Sequence, residues 1–228
     1  MRYCKRIAWM KPEEIDLLNK SIDFKVSPES ISRMNDALIF NINQAVQPED
    51  VLWVLGDWCF GTRQFPARLH ELRGRIHCQN CHLIFGNHDF RKVVSPFFAS
   101  SYEKVAVAIA EDGRYWVGED EIGENKDARK AQKMILDHYP NASWNGSGKS
   151  WWMLHGQNEP FNPVVDDEDR WMLHGHCHNN LFKWTNEHMP SSKILDVGVD
   201  GHDYKPWSFD EIKKYMDKRG GFSADHHK

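Results

Sequence analysis

The chain has 228 residues and a formal net charge of −4, from 33 acidic and 29 basic side chains. That length suits one large domain or two small ones, and the mild acidity argues against a general nucleic-acid binder working by bulk electrostatics. It leaves room for a phosphate-bearing substrate, because bound cations supply local positive charge.

Apolar residues make up 40%, but ten Trp and twelve Phe supply large core side chains. No clear linker breaks the chain, so a single domain is expected over residues 1–219, with a disordered tail at 220–228. Five cysteines (Cys4, Cys59, Cys78, Cys81, Cys177) are an odd number without disulfide-scaffold spacing, which fits a reducing compartment. No apolar run approaches the roughly 18 residues of a membrane span. The opening Met1-Arg-Tyr-Cys-Lys-Arg6 lacks the apolar stretch of a signal peptide. A cytoplasmic protein with no membrane association is expected.

Residues 1–26 are weakly patterned. Ser27-Pro28 reads as an N-cap followed by proline at the first helical position, and Ile31, Met34, Leu38, Ile42 and Ala45 keep helical spacing, which predicts a helix over 28–46. Val51–Leu55 is an apolar run of strand length closed by Gly56-Asp57. A helix is expected over Gln64–Leu72, ending at Gly74, and a strand at Leu83–Phe85 that delivers Gly86-Asn87-His88-Asp89. One strand is expected over Tyr102–Ile109, with Glu111–Arg114 as a hairpin turn and Tyr115–Val117 as the return. Residues 118–130 read as a solvated loop or short helix. Met134–Leu136 is another short strand, ending in Asp137-His138-Tyr139-Pro140. Trp-Met-Leu-His-Gly occurs at 152–156 and again at 171–175, with 157–170 expected as a surface loop. Ile194–Val199 is a last strand, and Ser208-Phe-Asp-Glu211 is a capping box opening a helix to about residue 218.

Three apolar runs therefore end in glycine and polar side chains. Asp57 is either a turn residue or a carboxylate able to bridge two cations. In Gly86-Asn87-His88-Asp89, Asn87 offers an amide oxygen, His88 is a general acid or base near neutral pH, and Asp89 can hold an imidazole in one tautomer. In His174-Gly-His-Cys-His178, two imidazoles two residues apart, His176 and His178, can each reach a different cation, while His174 faces away on an extended segment and reads as structural. His138 follows the same pattern of a strand delivering a ligand. Cys78 and Cys81, flanked by His77 and His82, lack the second ligand pair of a structural zinc site, so a bland role is expected.

Taken in order, Gly56-Asp57, Gly86-Asn87-His88-Asp89, His138-Tyr139-Pro140 and Gly175-His176-Cys177-His178 resemble the calcineurin-like metallophosphoesterase superfamily. The likeness looks closest to its small bacterial and phage members. Ser143–Ser147 and Leu195–Pro206 also resemble stretches of that subgroup. The resemblance implies an α/β fold, a two-layered β-sandwich flanked by helices, with two divalent metal ions at the strand ends (Mn, Fe, Zn, Ni or Mg). It implies hydrolysis of a phosphomonoester or phosphodiester, small molecule or nucleotide, by in-line attack of a metal-held hydroxide. Asp57 would bridge the metals, Asn87, His138 and His176 would complete the second, and His178 would bind the first. His88 would stabilise the transition state or protonate the leaving oxygen, with Asp89 orienting it.

The family opens with a strand followed by Asp-x-His, both residues ligating the first metal, and no such opening precedes Gly56-Asp57 here. Met1–Arg6 resembles the segment that follows that motif, so the expectation is a chain that starts a short way late. It would lack the first strand, with the first-metal site incomplete, bare strand edges beside the gap and impaired turnover. The alternative is a non-catalytic one-metal or metal-free relative that binds a phosphorylated ligand or a protein.

Overall fold

The structure, a computed structural model, describes residues 6–59, 66–141, 170–190 and 192–219. It is a mixed α/β architecture with two sheets and seven α-helices among the described residues. Helices α1 (Pro12–Asn19) and α2 (Pro28–Ala45) lead into strand β1 (Val51–Val54). Ser27 caps α2 by accepting the Ser30 N–H, with Pro28 next to it, as its sequence predicts. Helix α3 (Pro66–Gly74) then crosses over to β2 (Asn80–Ile84), and the short α4 (Arg91–Val94) precedes β3 (Ser100–Tyr102). The three strands form one all-parallel sheet in the order β1-β2-β3, and a crossover helix is what parallel neighbours require.

Strand β4 (Lys104–Ile109) turns tightly into β5 (Tyr115–Val117), and α5 (Glu119–Glu124) leads on to β6 (Gln132–Asp137) and, later, β7 (Trp171–His174). Helix α6 (Phe182–His188), strand β8 (Ile194–Asp196) and α7 (Phe209–Met216) complete the described chain. The second sheet runs β5-β4-β6-β7-β8, antiparallel through β6 and parallel from β6 to β8.

The single strand expected over 102–109 is two strands in two sheets. Tyr102 pairs with Ile84 in the first sheet, whereas Lys104 pairs with Asp137 in the second. One continuous β-pattern can serve both because each half satisfies its own sheet. Helix α6 has no counterpart in the sequence reading, and of the two alternatives for residues 118–130, solvated loop or short helix, the short helix α5 is the one found. The first Trp-Met-Leu-His-Gly copy, most of the 157–170 segment and the 220–228 tail lie outside the described residues.

Strand alternation explains the packing. Leu52, Cys81 and Leu83 pack under α2 and α3 with Ile39, Leu69 and Leu72, while Trp53, Leu55 and Ile84 turn the other way onto Val107, Leu136 and Leu173 of the second sheet. The outer face of that sheet buries Ala106, Ala108, Ile135 and Met172 against Trp116, Ile122 and Ala128. Cys78 and Cys81 are fully buried in the first cluster, and the Cys78 thiol donates to the Asp50 carbonyl at 3.2 Å. Strand β1 has a strand neighbour on one side only among the described residues. A cavity of about 1600 Å³ runs along it, with Trp53, Leu55, Leu173 and Ile212 in its walls. No described helix is long and apolar enough to cross a membrane.

Glu14 ties the first helices together. Its carboxylate, 6% exposed, accepts the Lys11 and Ser27 N–H groups (2.8 and 2.6 Å) and the Ser30 hydroxyl (2.6 Å). Burial raises this carboxyl, but the Ser30 hydroxyl and the backbone donors outweigh it and hold the value at about 2, below the ordinary 4.5. A depressed carboxylate contributes stability that is fully present above its unfolded value and is lost as pH falls through its folded one. Urea midpoints of the protein should therefore fall between pH 4.5 and about 2. A Glu14→Gln variant should start lower and fall less steeply over that window; parallel curves would contradict this.

Candidate metal centre

Asp57, Gly86–Asp89, His138, His176 and His178 all follow the C-terminal ends of parallel strands: β1, β2, β6 and β7. The two sheets meet at those ends. The His138 Nδ1–H donates to the Leu55 carbonyl at 2.8 Å, tying the end of β6 to the end of β1. Glycines make the approach possible. A Cβ on Gly56 (φ +92°) would run into the His138 ring and the Gly86 backbone, and one on Gly86 would strike the Asp57 carboxylate.

Asp89 stitches the two loops. One oxygen accepts the Asp57 and Gly86 N–H groups at 2.8 and 2.9 Å, and the other accepts Trp58 N–H at 3.0 Å. Burial pushes its carboxyl up, against those donors. The sequence reading had Asp89 orient the His88 ring; what it visibly holds is loop backbone. Asp57 is aimed in turn by the His88 N–H, 2.9 Å from its Oδ1, and the His88 side chain is exposed at the loop.

The donor set converges at His138, which is 1% exposed. A carbonyl only accepts, so in the neutral ring the proton shared with Leu55 sits on Nδ1 and Nε2 carries the lone pair. Around Nε2 stand Asn87 Oδ1 at 3.1 Å, His176 Nδ1 at 3.1 Å and Asp57 Oδ2 at 3.5 Å. A proton on His176 Nδ1 satisfies one of these contacts; the two oxygens still face the lone pair with no hydrogen between. Ligand atoms around a divalent cation at about 2.1 Å stand roughly 3.0–3.4 Å apart, close to the separations here. The residues fit a cation. Asp57, His138 and His176 offer atoms all within 4.8 Å of one another. Burial, then the neighbouring His138, depresses the His176 pKa, which favours the neutral ring that metal binding requires. The Tyr139 ring packs on both, 4.8 Å from His138 and 4.6 Å from His176 between centroids.

His178 is not among those three. Its Nδ1 lies 2.7 Å from Asp200 Oδ2, and Arg6 grips the same carboxylate with Nε at 2.6 Å and Nη2 at 2.9 Å. Burial would raise Asp200, but Arg6 and then His178 outweigh it and hold it at about 2. An ionised Asp200 fixes the proton on His178 Nδ1 and leaves Nε2 as the ligating atom, the carboxylate–histidine arrangement common behind metals. The sequence reading missed both Arg6 and Asp200. Asp200 lies inside the 195–206 stretch that it singled out, but pairing across 194 residues has no local spacing to betray it. Asp57, His176, His178 and Asn179 adopt positive φ (55°, 63°, 47° and 62°). Left-handed non-glycine residues gathered at one site mark backbone held for a purpose.

No protein-family model matches the chain. It is 24% identical over 191 residues to the uncharacterized protein MJ1445 of Methanocaldococcus jannaschii, covering 83% of this chain and 78% of that one. Among solved structures it is similar to AQ665, a protein of unknown function from Aquifex aeolicus, with 21% identity and a TM-score of 0.49 over 90% of this chain and 94% of that one.

Losing the partner behind a ligating histidine typically weakens metal binding about 10- to 100-fold. Asp200→Asn is expected to weaken binding of any ion that uses His178 by that factor in manganese titration calorimetry, leaving the ion held by His138 and His176 in place. Unchanged isotherms would remove Asp200 from this role.

Proposed function

We propose that the chain is a metal-dependent phosphoester hydrolase of the calcineurin-like metallophosphoesterase type, its two sheets being the layers of that sandwich. The supporting observation is the gathering of Asn87 and Asp57 oxygens and the His176 nitrogen around the unprotonated Nε2 of His138. Two oxygen acceptors facing a ring lone pair in this way leave a place that a cation satisfies, and the His176 ring can join them once its Nδ1 gives up its proton.

In this reading Asp57, Asn87, His138 and His176 hold one divalent cation, while Asp57 and His178 contribute to a second position. When bound, such cations supply positive charge for phosphoryl oxygens and acidify water at neutral pH. The protein's own groups do the rest. Leu55 and Asp200 fix the tautomers of His138 and His178, so that each ring presents a lone pair. Asp89 keeps the Asp57 and Gly86 loops in register. His88, exposed beside the donors, holds the proton delivered to the leaving oxygen. A side chain in that role typically contributes 10²–10⁴-fold, about 3–5 kcal/mol of barrier.

A second reading, a non-catalytic one-cation module, draws support from the shortfall at the second position, to which, among the described residues, the hydrolase reading assigns only Asp57 and His178. Hydrolysis of bis-(p-nitrophenyl) phosphate and of p-nitrophenyl phosphate with added manganese separates the two. The hydrolase reading predicts slow turnover that falls about 100-fold or more in His88→Ala, with metal binding kept, and vanishes with metal binding in His138→Ala. Metal binding without turnover by the unaltered chain would select the module.

A further inference from the structure

The turn that presents His176 and His178 has a second face, used by no part of the proposed reaction. His174 and Asp196 are register partners on β7 and β8, so they project from the same face of the sheet, and both are buried, 3% and 5% exposed. A ring nitrogen of His174, the Cys177 thiol and a carboxylate oxygen of Asp196 lie within 4.8 Å of one another.

A buried histidine beside a buried aspartate would ordinarily be a hydrogen-bonded pair. Here the two do not bond to each other. Asp196 gives one oxygen to the Asn179 N–H and the other to the Gly198 N–H, both at 2.9 Å. His174 donates its Nδ1–H to the Gly175 carbonyl at 2.9 Å, which leaves Nε2 with its lone pair. The third member is a thiol, a weak donor. Three electron-pair donors thus share one spot, His174 and Asp196 buried and Cys177 half-buried, with only the thiol hydrogen to place between them. The chemistry differs: the front donors are nitrogen and oxygen, whereas this set contains sulfur.

We propose that His174, Cys177 and Asp196 form a separate zinc site behind the turn. Imidazole, thiolate and carboxylate are all zinc ligands, and the sulfur favours zinc over magnesium or manganese. Binding replaces the thiol S–H bond with a sulfur–zinc bond and releases the proton to water. The ion joins β7, β8 and the Gly175–Asn180 turn, and so stiffens the left-handed residues that aim His176 and His178. It acts structurally and stands whether or not the front site hydrolyses phosphoesters.

Cobalt reports the sulfur directly, since thiolate ligation alone gives a near-ultraviolet charge-transfer band. The full chain, stripped of metal and titrated with Co²⁺, should show that band and lose it on adding zinc. The band should survive in His176→Ala, which removes a proposed front-site ligand, and in Cys59→Ser, two residues after Asp57. It should vanish in Cys177→Ser, with circular dichroism showing the fold kept, and weaken in Asp196→Asn should the serine variant fail to fold. A chain without the band, or a band that persists in Cys177→Ser, is undiminished in Asp196→Asn or disappears in Cys59→Ser, overturns the proposal.

Discussion

One hydrogen bond, from His138 Nδ1 to the Leu55 carbonyl, sets the terms for the rest of the site. It joins the end of β6 to the end of β1, and hence one sheet to the other. It also settles the chemistry of the ring. With the proton on Nδ1, the neutral ring faces its neighbours with a lone pair on Nε2, and those neighbours are an amide oxygen, a carboxylate and another imidazole. The contact that closes the fold is the contact that would make His138 a ligand.

Close approach at that point constrains the surrounding sequence. Gly56 and Gly86 have no room for a Cβ, and Gly175 meets the Leu55 carbonyl in the same way. Once the backbones are this near, buried N–H groups need acceptors, and Asp89 supplies three such bonds. The same logic operates at the far side, where Asp200 takes Arg6 and His178 together. Each carboxylate behind the site serves the backbone or a histidine, which keeps Asp57 available for a cation.

Much of this was readable from residues alone, because apolar runs that end in glycine and a polar group carry their own signal. Strands β1, β5 and β7, helix α2 and the capping box of α7 follow from local pattern, and Asp57, His138 and His176 do meet. What escaped the sequence depends on distant partners. Tyr102 and Lys104 belong to different sheets because of Ile84 and Asp137, not because of anything between them. Arg6 and Asp200 find each other only in the fold. His174 stands apart from the Asp57, His138 and His176 group, and its company with Cys177 and Asp196 required the register of β7 on β8.

The central claim is that His138 Nε2 is a lone pair prepared for a cation, and nitrogen-15 NMR of the histidine rings measures it directly. The account predicts the Nδ1–H tautomer of His138 in the metal-free protein at neutral pH. Its Nε2 resonance should shift on titration with a diamagnetic divalent ion such as zinc or cadmium, while Nδ1 stays protonated. A ring protonated at Nε2, or an Nε2 resonance that ignores the added ion, would contradict it.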